Sequence, residues 1–193
     1  TAVGNYFVTP SAALGTGLAK YSISYVAGSL SIGLASQSIA ITSTPTTPTY
    51  GATYTVVATG GGSGNLVTFS SATLSVCTLS GSVVTFVGIG TCTINADQLG
   101  NSSYSAATQV PQTFTVLAKA LTITAVVTPP SIAFGAATPT NSFTPSGLIN
   151  SDSVTSLTYT YTNNGGTTYN STTAPTAVGN YFVTPSAALG TGL

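Results

Sequence analysis

The chain has 193 residues, of which 42% are hydrophobic, but only two lysines and two aspartates carry charge, and histidine, methionine and tryptophan are absent. So few charges exclude a basic surface for nucleic acid and leave no acid–base or Ser-His pair for catalysis. No apolar stretch reaches the ~18 residues that cross a bilayer. We therefore predict no enzyme activity, no catalytic residues, no nucleic-acid partner and no membrane insertion.

The first eighteen residues, 1–18, recur without change as residues 176–193. The offset, 176 − 1 = 175 residues, is that of one complete repeat. We therefore interpret the chain as a window on a tandem array, cut in mid-domain. It has neither a signal peptide nor an initiator methionine, as expected for an internal segment of a longer precursor that could still be secreted.

Apolar residues alternate with threonine or serine at period two, which is typical of half-buried strands. The clearest runs lie at 21–25, 54–58, 84–86, 92–96, 114–116 and 157–161. Turn sequences separate them at 27–29, 60–65, 80–82, 88–90 and 163–166. The pattern predicts an all-β chain of antiparallel sandwiches with no helix longer than a turn or two.

Two joints divide the predicted strands, at 29–41 and 113–124, where one strand runs almost directly into the next. Residues 34–117 carry seven strand-like runs, enough for one sandwich of ~100 residues or slightly fewer. Residues 118–193 open a second domain type, and residues 1–33 are the C-terminal part of that type. Because the joints are short, we expect little bending between domains and a stiff rod.

The two cysteines, Cys77 and Cys92, lie on different predicted strands with one strand between them. An even cysteine count in a secreted context favours a disulfide, which would stabilise the domain by ~3 kcal/mol on the chain-entropy model. The alternative is two free thiols packed as small hydrophobic side chains. Two cysteines without histidine do not make a zinc site.

The glycine run at 60–64 is followed by no lysine, so it does not match a phosphate-binding loop. We predict a hairpin turn there. Calcium loops need several closely spaced aspartates, and this chain has two in total. The sequence therefore predicts no metal and no cofactor.

Two kinds of modification site follow from short patterns. Asn101 and Asn170 match the Asn-x-Ser/Thr pattern for glycosylation, a short pattern that often occurs by chance. Lys20, Lys119 and Asp152 belong to the same domain type, which allows an isopeptide cross-link assisted by the carboxylate. The alternative for these charges is exposure to solvent at the domain ends.

Several stretches resemble known repeats of large bacterial surface proteins. Residues 54–71 (YTVVATGGGSGNLVTFSS), 75–107 and 112–116 (QTFTV) resemble bacterial Ig-like repeats. Residues 119–125 (KALTITA), 134–154, 178–185 (VGNYFVTP) and 21–32 resemble the MBG ("mostly β") repeats that alternate with them. Acidic residues of many MBG copies are mostly replaced here by threonine, alanine and asparagine, which argues against an acid-dependent metal role.

The resemblance covers essentially the whole chain. It implies tandem Ig-like β-sandwich domains placed end to end as a rod, in an extracellular protein of the bacterial cell surface. The implied function is that of a structural repeat in a surface fibre or adhesin stalk. The alternative is an Ig-like adhesion module that binds a glycan or a host protein.

The partner that we expect is a neighbouring copy of the same repeat. Residues 19–32 are predicted to pair with the 119–193 region of the preceding copy and so to complete an MBG-like domain, because partial sheets expose unpaired edges. We favour covalently continuous copies. If the copies were separate subunits, the same pairing would be donor-strand complementation.

Overall fold

The computed structural model describes residues 2–163 and 169–192. In these ranges the chain is all-β, and its only helical element is a 3₁₀ turn at Leu18–Lys20. The prediction that the chain is all-β is therefore confirmed. The chain divides into two compact units, Thr1–Leu117 and Ala118–Leu193, and each is described by itself.

The first unit begins with a two-stranded antiparallel sheet of β1 (Gly4–Val8) and β2 (Gly28–Ile32). The strand predicted at 21–25 is wrong, because residues 21–27 are not in a strand. Tyr21, the first residue of this alternating run, is 72% exposed. Alternation describes a face that a neighbouring strand or sheet covers, and the described residues provide no such neighbour here.

Eight strands follow in the first unit, one more than predicted. They are β3 (Ala40–Ile41), β4 (Thr53–Thr55), β5 (Ala58–Thr59), β6 (Val67–Ser71), β7 (Cys77–Ser80), β8 (Val83–Phe86), β9 (Gly90–Gln98) and β10 (Val110–Val116). All their pairings are antiparallel, in sheets ordered β3-β5, β4-β8-β7 and β10-β9-β6.

The additional strand arises because the chain changes sheet within the run predicted at 54–58. The amide of Val56 donates to the carbonyl of Ser82, which precedes β8, whereas the carbonyl of Val57 accepts from Thr42, which follows β3. A period-two pattern continues through such a crossing, since the side chains still alternate. The pattern therefore indicates extended backbone but not its hydrogen-bonding partner.

Side chains from both three-stranded sheets form one core. The inward positions of β9 follow the predicted alternation, with Cys92, Ile94 and Ala96 buried. Phe86 of β8 and Phe114 of β10 meet edge to face with ring centroids 5.7 Å apart. The cluster of buried residues consists of Val56, Cys77, Val84, Phe86, Cys92, Ile94 and Val116.

Two isolated parallel bridges lie outside these sheets. Ala35 pairs with Tyr104, and Thr49 pairs with Leu117. The second bridge includes hydrogen bonds from the Leu117 amide to Pro48 and from the Tyr50 amide to Leu117, of 2.8 and 2.9 Å. These two hydrogen bonds attach Leu117, at the end of residues 34–117, to residues nearer the beginning of that range.

The described residues of the second unit form two small sheets. Strands β11 (Thr122–Thr128) and β12 (Thr140–Ser146) pair with each other. The other sheet has the order β14-β13-β15 and consists of β13 (Ser153–Asn163), β14 (Asn170–Ser171) and β15 (Tyr181–Thr191). The strand predicted at 157–161 lies within β13, while the turn predicted at 163–166 falls largely outside the described residues.

The two units differ in how much apolar surface they bury. Among the described residues, the buried hydrophobic side chains lie between Ile39 and Val116, except for Tyr161 in the second unit. Residues 2–34 contribute none. The middle segment therefore has a core of its own, whereas the flanking segments have almost none.

Candidate assembly edge

The duplicated segment, residues 1–18 and 176–193, forms a strand in both places but with different partners. In the first copy, Gly4–Val8 pairs with β2, and Tyr6 lies opposite Leu30. In the second copy the equivalent of Tyr6 is Tyr181, which lies on β15 opposite Asn163 of β13. One sequence therefore pairs with two different strands.

Two positions of the duplicated segment have the same left-handed backbone conformation in both places, although the strand spans residues 4–8 in the first copy and 181–191 in the second. Ala12 and its equivalent Ala187 have φ values of 50° and 48°, and Gly17 and its equivalent Gly192 have values of 80° and 74°. Alanine rarely adopts this left-handed region, because its Cβ crowds the backbone. Its recurrence at one position indicates that the left-handed conformation at this alanine does not depend on which strand is paired.

A tyrosine hydrogen bond is also common to both copies. The hydroxyl of Tyr6 donates to the carbonyl of Ala2 over 2.7 Å, and that of Tyr181 donates to the carbonyl of Ala177 over 3.1 Å. A Cβ placed at Gly179 would lie 3.2 Å from the Tyr181 hydroxyl oxygen. Glycine two residues before the tyrosine thus leaves room for the ring to fold back.

The surroundings of the two copies differ on the side where β13 lies. A Cβ added at Gly192 would collide with the carboxylate of Asp152, which directly precedes β13. A Cβ added at the equivalent Gly17 would meet nothing within 4 Å. The first copy therefore pairs with β2 but has no contact equivalent to that between Gly192 and Asp152. The second copy has this contact but does not pair with β2.

Strand β15 lies at the edge of its sheet, because the order is β14-β13-β15, and β11 lies near it without pairing with it. It is eleven residues long and pairs with β13 along most of its length. An edge strand presents unpaired N–H and C=O groups that can template a further strand. This edge is the candidate functional site of the chain.

The predicted disulfide is present. Cys77 and Cys92 are bonded, with their Cα atoms 5.8 Å apart, and both residues are fully buried. Cys77 begins β7 and Cys92 lies on β9, so the bond joins the two three-stranded sheets across their shared core. The alternative of two free thiols is wrong for this structure.

The hairpin predicted at the glycine run 60–64 is wrong. Strand β5, before the run, pairs with β3, whereas β6, after it, pairs with β9. The run therefore connects two different sheets. Its glycines allow close packing, since a Cβ at Gly60 would collide with the Gln98 amide and one at Gly62 with the Tyr104 ring.

Gln98 is a structural residue that the sequence analysis missed. It is 4% exposed, accepts a hydrogen bond from the Gly61 amide and donates one to the Asn65 carbonyl, both of 2.7 Å. Buried amides are retained in proteins where such partners satisfy them. Gln98 follows Ala96 in the series of inward-facing positions of β9. This alternation was the signal from which the burial of its polar side chain could have been predicted.

The two glycosylation patterns lie in different settings. The Asn101 side-chain oxygen accepts from the amides of Ser103 and Tyr104 at 2.8 and 2.9 Å, and its nitrogen donates to the Ser63 carbonyl at 2.9 Å. Asn101 thus holds the loop that follows β9. Asn170 is exposed on β14, opposite Thr162.

The three charged residues of the isopeptide hypothesis are distributed over both units. Lys20 ends the 3₁₀ turn of the first unit. Lys119 is exposed ahead of β11, and Asp152 precedes β13 with its amide bonded to the Ile149 carbonyl. The isopeptide cross-link stays a prediction.

Residue types that bind metals are sparse in the described ranges. Across residues 2–163 and 169–192, no group of three or more His, Cys, Asp or Glu side chains is placed to hold a metal ion. The same ranges contain no helix with the length and apolar character required to span a membrane.

No protein-family model matches the chain, and neither a curated protein nor a solved structure is significantly similar to it.

Proposed function

We propose that this chain is a structural repeat unit of an extracellular bacterial surface fibre or adhesin stalk. In this proposal, Ig-like and MBG-like β-sandwich domains alternate end to end as a rod. The observation that carries the proposal is the duplicated segment, which keeps two left-handed positions at both ends of the chain but has a different strand neighbour at each end.

The distribution of buried residues supports a role for neighbouring copies. The middle segment has a disulfide and a contiguous core, whereas residues 2–34 and the second unit bury almost no apolar side chain among those described. Small sheets without a covered apolar face have little independent stability. A neighbouring copy that supplied the complementary strands would complete one MBG-like domain from the two flanking segments.

Composition and the disulfide support the proposed location. Disulfides persist in oxidising environments, which include the bacterial cell surface and exclude most of the cytosol. Near-zero net charge favours association between copies rather than dispersal. Residues 117–121 are all that separates β10 from β11, a connection short enough to restrict bending.

Electron microscopy of a protein with several consecutive 175-residue periods tests the proposal. Two domains per period, each some eight residues of strand long plus loops, give an expected axial repeat of roughly 70–90 Å. Native fibres should also run on denaturing gels, after reduction, as very large species. Globular particles, or a band near the 19.0 kDa of this chain, would contradict the proposal.

A further inference from the structure

We propose that the open edge of β15 binds a second copy of residues 19–32 as an added antiparallel strand. This inference rests on the proposed tandem array and specifies the partner and register of its contact. The paired positions are those of β1 with β2, with 175 added to each residue number of β1. Residues 179, 180, 181, 182 and 183 would then face Ile32, Ser31, Leu30, Ser29 and Gly28 of the second copy.

The first argument is that this pairing already exists elsewhere in the chain. Residues 4–8 have the same sequence as residues 179–183, and they pair with β2 over five consecutive positions. The left-handed alanine and the tyrosine hydrogen bond are the same in both copies. The second copy therefore presents the same side chains to a strand of this sequence, and its residues 181–183 are already extended in β15.

The second argument concerns the direction of the backbone groups of β15. The Asn163 amide donates to Tyr169 at 3.3 Å, on the β14 side of β13. Successive residues of a strand direct their backbone groups to opposite sides. Thr162 therefore faces Phe182 across the β13–β15 ladder, and the backbone groups of Tyr181 and Val183 are directed to the open edge.

The third argument is a side-chain contact just beyond the ladder. In the first copy, the Ala13 amide donates a 2.7 Å hydrogen bond to the Tyr25 hydroxyl, next to the left-handed Ala12. Ala188 is the equivalent of Ala13. In the proposed pairing, the Tyr25 hydroxyl of the second copy accepts from the Ala188 amide in the same way.

The fourth argument is apolar surface at this edge. Phe182 and Leu189 of β15 are 55% and 65% exposed. In the proposed register Leu30 lies across from Tyr181, an apolar–aromatic cross-strand pair of the kind that stabilises sheets. A second copy of this segment thus places an apolar side chain opposite Tyr181 in addition to the backbone pairing.

The test compares the chain with the same chain continued after Leu193 by a copy of residues 19–32. Hydrogen exchange is measured at single amides. We expect the amides of Tyr181 and Val183 to exchange at least about tenfold more slowly in the extended chain. Amides of β9 in the first unit serve as an internal reference and should not change.

Two variants of the extended chain serve as controls for the register. Leu30→Pro in the added copy removes a ladder donor and should abolish the protection, since proline cannot pair within a sheet. Phe182→Cys with Ser29→Cys in the added copy should form a disulfide on oxidation. The same Phe182→Cys with Leu30→Cys should not, because a one-residue shift places the side chains on opposite faces.

Equal exchange rates in the two chains, or equal cross-linking in both cysteine pairs, would overturn the inference. Protection that survives Leu30→Pro would also overturn it. These outcomes are separable from failure of the stalk proposal, because micrographs of multi-period proteins report on rod formation whichever strand completes the sheet.

Discussion

Asn141 on β12 donates a 2.6 Å hydrogen bond to the hydroxyl of Tyr161 on β13, and this contact joins the two sheets of the second unit. Tyr161 is 6% exposed, the only buried hydrophobic residue described in that unit. The Asn141 side-chain oxygen is buried and has no hydrogen-bond partner among the described residues. The side-chain nitrogen of Asn141 therefore has a hydrogen-bond partner, whereas its side-chain oxygen has none among the described residues.

This pair gives a prediction about the stability of the second unit. Tyr161→Phe removes the acceptor of Asn141 and should lower the free energy of unfolding by about 1–2 kcal/mol, because a buried donor is left without a partner. Asn141→Leu with Tyr161→Phe removes all of these polar groups and should recover most of that loss. Denaturant unfolding in a double-mutant cycle measures it, and strictly additive effects would contradict the interpretation.

Reduction of the Cys77–Cys92 bond should destabilise the first unit. The sequence separation of 15 residues corresponds to about 3 kcal/mol on the chain-entropy model. The second unit contains no cysteine, so its unfolding transition is an internal control. Thermal unfolding with and without reductant measures both transitions. Equal shifts in the two would show that the reductant acts by another route.

Substitution of Gly100 should be far more harmful than substitution of Gly33. A Cβ at Gly100 would collide with the Tyr104 carbonyl oxygen and lie 2.7 Å from the Ala106 amide nitrogen, whereas one at Gly33 would meet nothing within 4 Å. We expect Gly100→Ala to cost about 1–3 kcal/mol, as overpacking does. Gly33→Ala should be nearly neutral. Melting temperatures of the two variants decide the comparison.

Calcium should not alter the stability of either unit. In the first unit the Asp97 carboxylate accepts two hydrogen bonds from the Gln109 side-chain nitrogen, at 3.0 and 2.9 Å, which is a neutral partner rather than a cluster of acids. Melting temperatures in calcium and in chelator should agree within about 1 °C. A rise of several degrees in calcium would reveal a site that the composition did not predict.

Sequence patterns predicted the strands best where a core on one side of the strand causes the alternation of apolar and polar residues. In β9 the alternation of Cys92, Ile94 and Ala96 with polar residues reflects a real core on one side, and the cysteine pairing followed from the same strands. The run 21–25 has equally clear alternation, yet it forms no strand in this structure. Periodicity reports the capacity of a segment to pair, not the presence of its partner.

The connections between sheets were not predictable from local sequence. The crossing at Val56 and Val57 preserves side-chain alternation, so nothing in the pattern distinguishes one long strand from two. The glycine run 60–64 matches a hairpin in composition, but its glycines are required by the close approach of Gln98 and Tyr104. These neighbours are distant in sequence, and only the tertiary structure brings them to the loop.

The parallel bridge of Thr49 with Leu117 has a mechanical consequence. The segments that contain Thr49 and Leu117 run parallel to each other. Tension applied through residues 34 and 117 would pull these two segments past each other along their lengths. The hydrogen bonds of Leu117 with Pro48 and Tyr50 would then be loaded in shear and together, rather than opened one after another. We expect Tyr50→Pro, which removes one of these donors, to lower the unfolding force in single-molecule pulling experiments, where the unfolding rate governs rupture. A domain resisting force in this way would yield abruptly instead of lengthening gradually.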